Sequence, residues 1–171
     1  PREVEVLNGR VTIQVKPRRV HTVSLGHDEV TYALLPADHV VAVGRFTQQV
    51  EYSNVADLAS RVPAIGRDPE EIVAHAPDIV IASPFTKKEL IESLRNVGIT
   101  VVQTRLHNDP EGRVADILLM GYIFGEELRA VELASEVRAR YEALRSVVEG
   151  KPVGSSPRVM STARYSDKLY T

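Results

Sequence analysis

Three arginines and three aromatic residues stand in polar segments that follow apolar stretches of the sequence. Guanidinium groups bind anionic groups through charge-assisted hydrogen bonds, and aromatic rings pack against flat or apolar ligand surfaces. The combination predicts a cleft for a bulky ligand that carries anionic groups. For each arginine taken alone, the alternative is an ordinary solvated loop residue. The six residues are Arg45, Arg67, Arg105, Phe46, Tyr52 and Phe85.

Two histidines lie beside carboxylates in segments of the same kind. His27 precedes Asp28, and His107 lies close to Asp109. Neutral imidazole and carboxylate are good ligands for a transition metal, so direct metal binding is one interpretation. The two histidines are far apart in the sequence and lack the spacing of a metal motif. Loop histidines in solvent are therefore the favoured interpretation.

Motifs of the common enzyme classes are missing from the sequence. The segment from Ser24 to His27 lacks the glycines of a phosphate-binding or dinucleotide-binding loop. Neither a Gly-x-Ser-x-Gly elbow nor a His-x-x-x-His pair is found. Glu70 and Glu71 open a helix, where acids are favourable beside the positive end of the helix dipole. We therefore predict neither an enzyme nor a resident cofactor or metal.

The composition excludes further classes of function and site. The 171 residues include 21 Lys and Arg against 23 Asp and Glu, and this net charge of -2 argues against nucleic-acid binding. Hydrophobic residues make up 43%, which is typical of a folded domain. Cysteine is absent, which excludes disulfides and thiolate sites. The sequence has no run of about 18 apolar residues, the length that a membrane-spanning helix requires.

Strand and helix patterns alternate along most of the chain. Alternating apolar residues around Asn8-Gly9 predict a β-hairpin with a type I′ turn. Asn54, Asp68 and a capping box of Thr86 with Glu89 are predicted helix starts. Predicted strands cover residues 20–24, 39–43, 78–82, 99–104 and 158–163. Predicted helices cover residues 28–35, 55–61, 68–76, 86–97, 114–124 and 126–149.

This alternation predicts an α/β fold, a three-layer α/β/α lobe with a parallel sheet, followed by a long helix. In such a sheet all strand-to-helix loops reach one edge, where ligands bind. The predicted ligand-binding residues are therefore those that follow the strands. They are Ser24, His27, Arg45, Phe46, Tyr52, Arg67, Phe85, Arg105 and His107.

Two segments resemble the periplasmic substrate-binding proteins of ferric-siderophore, haem and vitamin B12 ABC importers. Residues 19–43 resemble the opening of that family, with Ser24, Glu29 and Asp38 on its characteristic positions. Residues 68–82, which begin Asp-Pro-Glu-Glu-Ile, are similar to its Asn-Leu-Glu-x-Ile segment. Leu25 and Asp28 replace residues that are commonly Pro and Thr in the family. The resemblance extends from the hairpin to residue 149.

The resemblance implies an architecture and a set of partners. Residues 1–125 would be an N-terminal ligand-binding lobe, residues 126–150 a long connecting helix, and residues 151–171 a linker with the first strand of a second lobe. Glu70 falls on the position that docks onto the ABC permease. The ligand would be an iron-siderophore, haem or a cobalamin-like molecule, bound between the lobes outside the cytoplasm.

Further expectations follow from that architecture. We expect a missing C-terminal lobe, and a signal segment that is not present in this chain. We expect weak ligand binding by one lobe alone, and a homodimer formed through its uncovered half-cleft. Two alternatives stay open, a self-contained flavodoxin-like α/β enzyme or regulatory domain, and a direct transition-metal binder.

Overall fold

The computed structural model describes residues 1–152, 154, 157–160, 162–165 and 168–170. The chain divides into two compact units, residues 1–139 and residues 140–171. Across the described ranges, no helix combines the length and the apolar character needed to cross a lipid bilayer.

The elements follow one another mostly as strand and helix. The strands are β1 (Arg2–Val6), β2 (Gly9–Ile13), β3 (Val20–Thr22), β4 (Val40–Gly44), β5 (Ala64–Ile65), β6 (Ile79–Ala82), β7 (Thr100–Gln103), β8 (Ala163–Tyr165) and β9 (Lys168–Tyr170). The helices are α1 (Leu25–Leu34), α2 (Ala56–Ala59), α3 (Pro69–Ala74), α4 (Lys88–Asn96), α5 (Pro110–Phe124) and α6 (Glu127–Glu149), and a short 3-10 helix covers Ala37–His39.

Five strands of the first unit form one parallel sheet with the order β5-β4-β3-β6-β7. Four of them correspond to the first four predicted strands, so the predicted parallel arrangement is confirmed. The fifth, β5, was not predicted, because two residues between Pro63 and Gly66 carry no detectable periodicity. All five strands end at the same edge of the sheet, which is where a ligand is expected.

The core lies on both faces of this sheet, because successive side chains of a strand point to opposite faces. Ile79 and Ile81 of β6 pack in the cluster that includes α5 and the β1–β2 hairpin. Val80 and Ala82 pack in the cluster that includes Ile72 of α3 and residues of α4. Helices therefore cover the two faces, and the predicted three-layer α/β/α class is confirmed.

The N-terminal hairpin forms as predicted, but its turn is different. Val6 pairs with Gly9, so Leu7 and Asn8 are the two turn residues. A type I′ turn needs a positive φ at both of them, whereas the positive φ in this segment is at Gly9, at 92°. The type I′ prediction is therefore wrong. Gly9 instead occupies the left-handed position that follows the turn.

The hairpin turn also covers the outer edge of strand β7. The Asn8 side chain donates from Nδ2 to the Val101 carbonyl at 2.9 Å and accepts from the Gln103 amide at 2.9 Å. The Leu7 amide donates to the Gln103 carbonyl at 3.0 Å. Three backbone groups of the edge strand are thus bonded by two turn residues.

Of the three predicted helix starts at Asn54, Asp68 and Thr86, the one at Asp68 agrees with the structure. Asp68 accepts bonds from two amides of the first turn of α3, which confirms the predicted cap. Asp109 accepts the Gly112 amide at 2.8 Å in the first turn of α5, which therefore starts four residues before its predicted start. The capping box is wrong, because Lys87 is the N-cap of α4 and the Thr86 hydroxyl lies 3.2 Å from Ser83 Oγ.

Asn54 does not cap the short helix α2 as predicted. Val55 is the N-cap residue there. The Asn54 backbone amide and side-chain Nδ2 instead donate to Glu29 Oε1 at 2.9 and 3.0 Å. Glu29 thereby ties the segment before α2 to helix α1.

Helix α6 forms as predicted, but most of its large apolar residues are exposed, and only Leu133 and Val137 among them pack against the core cluster of the described residues. Ala130 and Ala134 are its buried residues, whereas Leu128 is 83% exposed. The three-to-four spacing therefore identified the helix and not its packed face.

The second unit contains the end of α6 and a two-stranded antiparallel sheet of β8 and β9. The predicted strand over residues 158–163 differs from this. Residues 158–160 and 162 are outside any strand, and β8 begins at Ala163. Residue 161 lies outside the described residues.

Candidate functional site

The carboxyl ends of β3, β4 and β5 surround a pocket of about 410 Å³. We call it the arginine pocket. It brings together four of the predicted residues, Ser24, Arg45, Phe46 and Arg67, which come from three separate loops. Its lining residues are Val23, Ser24, Leu25, Gly44, Arg45, Phe46, Ile65, Gly66 and Arg67.

Gly66 allows two charged side chains to approach the pocket wall. A Cβ at this position would lie 3.1 Å from a guanidinium nitrogen of Arg45 and 3.2 Å from Glu71 Oε2. Glu71 Oε2 accepts the Gly66 amide at 2.8 Å, so the carboxylate fixes the loop after β5. The guanidinium groups of Arg45 and Arg67 make no ion pair within the described residues. Both remain available to an anionic ligand.

An aromatic pair joins the pocket wall to its surroundings, since Phe46 lines the arginine pocket and Tyr52 contacts Phe46 without lining it. The rings of Phe46 and Tyr52 meet edge to face, with centroids 5.7 Å apart and an angle of 81° between the planes. Phe46 is 61% exposed and Tyr52 is 62% exposed, so the pair presents apolar surface to solvent. Phe85 is 83% exposed after β6, but it lines neither this pocket nor the one described below.

A buried carboxylate supports the loop that carries Arg45 and Phe46. Asp28 lies on the buried face of α1 and accepts three hydrogen bonds. The donors are the Thr22 hydroxyl at 2.6 Å, the Thr47 hydroxyl at 2.6 Å and the Gly44 amide at 3.1 Å. Burial raises the pKa of Asp28 to about 7, although the three donors favour its charged form.

His27 does not reach the ligand edge. Helix α1 begins at Leu25, which places His27 on its inner face, where it is fully buried. Its Nδ1 lies 2.8 Å from the Ser24 hydroxyl and its Nε2 lies 2.8 Å from the Thr104 hydroxyl. Burial lowers the pKa of His27 to about 4, so the ring is neutral at physiological pH. His27 was predicted to contact a ligand, and the structure places it inside the fold, with both ring nitrogens within hydrogen-bond distance of hydroxyl groups.

His107 and Arg105 lie at the opposite end of the sheet edge, in a second pocket of about 250 Å³. We call it the histidine pocket. His107 Nδ1 lies 2.7 Å from Asp116 Oδ1, and the His107 amide donates to Asp116 Oδ2 at 2.8 Å. The lining residues are Glu5, Val6, Leu7, Gln103, Thr104, Arg105, His107, Ala115, Asp116 and Leu119.

The direct metal-binding alternative finds no support in this arrangement. His27 and His107 do not form a common site, since His27 is enclosed by Ser24 and Thr104. Within the part of the chain that the structure describes, no group of three or more His, Cys, Asp or Glu side chains could hold a metal ion.

Glu70 lies apart from both pockets, in the first turn of α3. Its side chain is exposed, and its backbone amide donates to the Asp68 cap at 2.9 Å. The next residue, Glu71, turns inward to Gly66. The two adjacent glutamates thus differ in role, and Glu70 is the one whose carboxylate is open to solvent.

Sequence reasoning missed the residues that hold the pocket loops in place. Asp28, Thr47 and Asp116 are all buried and hydrogen-bonded, and none of them is among the predicted ligand-binding residues. A signal for Asp28 exists, because its spacing to Thr31 and Tyr32 puts it on the buried face of α1. Thr47 has no such periodicity, since it belongs to a turn.

Comparison with known families settles the relationship. Residues 20–170 match the family model of the periplasmic binding proteins. The chain belongs to the periplasmic binding protein family. The prediction from the resemblance is thereby confirmed, and the parallel sheet with its open carboxyl edge is the corresponding part of this family's fold.

Two curated relatives of this periplasmic binding protein are similar over most of its length. A cobalamin-binding protein of Halobacterium salinarum is 26% identical over 146 residues, which cover 85% of this chain and 40% of the relative. An uncharacterized ABC transporter substrate-binding lipoprotein, YvrC of Bacillus subtilis, is 26% identical over 135 residues, which cover 77% and 42%. The chain thus spans about two fifths of the length of these relatives.

Solved structures share the fold. The haem-binding protein HmuT superposes with a TM-score of 0.74 at 18% identity, covering 90% of this chain and 50% of HmuT. A protein of the ABC-type Fe³⁺-hydroxamate transport system of Saccharomonospora viridis gives a TM-score of 0.70 at 25% identity, covering 87% and 57%.

Proposed function

We propose that this chain is the N-terminal ligand-binding lobe of a substrate-binding protein that serves an ABC importer. Its ligand is a metal chelate of the ferric-siderophore, haem or cobalamin type. The observation that carries the proposal is the arginine pocket, at the carboxyl edge of a sheet that belongs to the periplasmic binding protein family. Binding and release, without a chemical step, constitute the function.

The chemistry of the pocket suits such ligands. Ferric siderophores, haem and cobalamin are large, carry polar or anionic groups at their rims and present wide apolar surfaces. Arg45 and Arg67 supply unpaired guanidinium groups within the described residues, and the Phe46–Tyr52 pair supplies exposed rings. Arginine recognises carboxylates in bidentate geometry, and aromatic rings pack on a macrocycle or a chelate surface.

Two partners complete the proposed protein. A second lobe, following the long helix α6, closes over the arginine pocket from the other side. An ABC permease docks onto the lobe through Glu70, which is exposed and lines neither pocket. The relatives include a substrate-binding lipoprotein, which supports a location outside the cytoplasm.

The ligand proposal is tested on the 171-residue chain by NMR titration. One lobe supplies about half of the contacts, so a ligand bound at about 1 μM by two lobes should bind at about millimolar here. Suitable diamagnetic probes are cyanocobalamin, gallium(III) protoporphyrin and the gallium(III) complex of a hydroxamate siderophore. We expect one of them to shift the backbone amides of the arginine pocket, including those of Gly44 and Gly66, in a saturable way.

Arg95 offers a matched control for the arginines of the pocket. It is an exposed arginine in a groove on another part of the lobe. Arg45→Ala should reduce the saturable shifts, whereas Arg95→Ala should leave them unchanged. Shifts confined to surfaces outside the arginine pocket, or no shift with any of the three probes at millimolar concentration, would contradict the proposal.

The docking proposal is tested in the complete substrate-binding protein with its reconstituted permease. Glu70→Ala should slow uptake without changing ligand affinity, because a rim charge acts on encounter and register. The loss should diminish as salt rises. Glu89→Ala is the control, since Glu89 is an exposed glutamate in the first turn of the neighbouring helix α4. Unchanged uptake at low salt in the Glu70 variant would refute the docking role.

A further inference from the structure

We propose that Asp28 is a positioning residue, whose carboxylate holds the turn that presents Arg45 and Phe46 to the arginine pocket. The turn covers residues 44–47, and we call it the 44–47 turn. The effect of Asp28 on ligand affinity rests on the function proposed above. The effect of Asp28 on the conformation of the 44–47 turn does not rest on it, so the two effects can be tested separately.

The geometry places one carboxylate oxygen at both ends of the 44–47 turn. The turn is closed by the Thr47 amide, which donates to the Gly44 carbonyl at 3.0 Å. Asp28 Oδ2 accepts the Gly44 amide at 3.1 Å at the start of the turn and the Thr47 hydroxyl at 2.6 Å at its end. The two central residues, Arg45 and Phe46, are exposed and line the pocket.

We call the two hydrogen bonds that Asp28 Oδ2 accepts from Gly44 and Thr47 the clamp. Its burial explains how it can act on exposed residues. Asp28 and Thr47 are both fully buried, so water does not compete for their bond. Above its pKa of about 7 the Asp28 carboxylate is charged, and hydrogen bonds to a charged acceptor are stronger than those between neutral groups. The other bonds of the turn are weaker, neutral ones at its exposed side, where Gln49 donates from its backbone amide to the Phe46 carbonyl at 3.1 Å and from Nε2 to the Arg45 carbonyl at 3.3 Å. The clamp therefore fixes the direction in which Arg45 and Phe46 leave the sheet edge.

The other carboxylate oxygen supplies a matched control. Asp28 Oδ1 accepts the Thr22 hydroxyl at 2.6 Å, and Thr22 is buried in strand β3 to the same extent as Thr47. Thr22→Val and Thr47→Val thus each remove one hydroxyl bond of the same length from the same carboxylate. Thr22→Val also removes the longer bond from that hydroxyl to the Ser24 carbonyl, at 3.2 Å. The positioning role predicts that Thr47→Val frees the 44–47 turn and that Thr22→Val does not.

The experiment is limited trypsin digestion of the ligand-free 171-residue chain, followed by mass spectrometry. Cleavage after Arg45 reports opening of the turn, and cleavage after Arg95 in α4 reports opening elsewhere. Thr47→Val should raise the ratio of Arg45 to Arg95 cleavage about tenfold, the population change expected when a bond to a charged group is lost. Thr22→Val should raise both cleavages together and leave the ratio within about twofold of the unsubstituted chain.

Two substitutions at Asp28 distinguish hydrogen bonding by its side chain from packing of its side chain in the core. Asp28→Asn keeps an oxygen that can accept both turn donors but loses the charge, so its cleavage ratio should lie between those of the unsubstituted chain and Asp28→Ala. Asp28→Ala keeps no acceptor and should match or exceed Thr47→Val. Equal ratios for Thr47→Val and Thr22→Val, or for Asp28→Asn and Asp28→Ala, would overturn the proposal.

A binding experiment then connects the turn to the pocket. In the titration with the three diamagnetic probes, Thr47→Val should weaken saturable binding, and it should add little in an Arg45→Ala background. Additive effects of the two substitutions would show that the turn does not act through Arg45. If none of the probes binds, the proposed function fails, while the cleavage ratios still decide the role of Asp28.

Discussion

The two ends of the sheet edge use their polar side chains differently. In the arginine pocket, Arg45 and Arg67 have no ion-pair partner within the described residues, and Phe46 and Tyr52 are exposed. At the β7 end, His107 is bonded to Asp116, and the neighbouring His27 is bonded to Ser24 and Thr104. The arginines and rings of the first end are available to a ligand, whereas both histidines at the second end are already bonded. Arg105 is the exception there, since it is exposed and makes no ion pair within the described residues.

The difference shows why residue type alone did not identify function. A histidine that follows a strand can hydrogen-bond a bound molecule as readily as an arginine can. What separates them here is whether the side chain has found a partner within the fold. A buried polar group must be bonded because leaving it unpaired is costly, and a group so bonded contributes to stability more than to recognition.

The largest expected effect is on stability at the bonded end. His27→Ala removes two hydrogen bonds and leaves a buried cavity, so the free energy of unfolding should fall by about 3 kcal/mol. Phe46→Ala, at the open end, should change it by less than about 0.5 kcal/mol because its ring is mostly exposed. Chemical denaturation of both variants measures the contrast. A loss from Phe46→Ala as large as that from His27→Ala would remove the distinction between the two ends.

The dependence of stability on pH tests the buried residues directly. His21 and His27 have a pKa of about 4 in the fold, against 6.5 for an unperturbed histidine. Between these values the unfolded chain binds protons that the folded chain does not, so both histidines make stability rise with pH. Asp28 acts in the opposite direction, because its pKa is raised from 3.8 to about 7. Two histidines raise the free energy of unfolding as pH rises and one carboxyl group lowers it. The net rise is therefore about 1.4 kcal/mol per pH unit.

The measurement is urea denaturation at several pH values between 4.5 and 6.5. Each histidine contributes about 3 kcal/mol across the full interval between its folded and unfolded pKa. His27→Gln removes one of the two rising contributions and should flatten the profile. A profile that falls with pH in the unsubstituted chain would show that Asp28 outweighs the histidines. An unchanged slope in His27→Gln would place the pH dependence elsewhere.

The smallest expected effect separates affinity from stability. Arg67→Ala should weaken binding of the responding NMR probe about tenfold, the loss of one charge-assisted contact, with little change in stability. Asp116→Asn should do the reverse, because it removes the charge that holds the His107 ring and amide without touching the arginine pocket. Its expected cost is about 1–2 kcal/mol of unfolding free energy. Weaker probe binding in Asp116→Asn would extend the ligand site to the β7 end.

The sequence predicts the sheet well because its strands are short apolar runs covered on both faces. Ile79, Val80 and Ile81 allow little else than a buried parallel strand. Helix boundaries were predicted where the local chemistry was recognised. Asp68-Pro69-Glu70 marked the start of α3, and Asp109-Pro110-Glu111 marks the start of α5 in the same way but was assigned to a loop.

The site was predicted in outline only. The position of Arg45 and Phe46 follows from topology, since any residue directly after a parallel strand reaches the same edge. The buried supports do not follow from topology. Thr47 and Asp116 bind groups 19 and 9 residues away in the chain, and no periodicity links such pairs. His27 was misplaced because α1 begins three residues earlier than its predicted start, which turns the ring inward.

The tie between Asn8 and strand β7 has a consequence for how this lobe behaves at high concentration. An uncovered edge strand offers unpaired amides and carbonyls to any other chain and is a common origin of aggregation. Here the Asn8 side chain and the Leu7 amide occupy three such groups of β7. A second copy therefore cannot extend the sheet by pairing with this strand unless the hairpin turn first detaches. Asn8 thereby protects the edge strand against fibrous association, and substitution of Asn8 should increase aggregation during expression and storage.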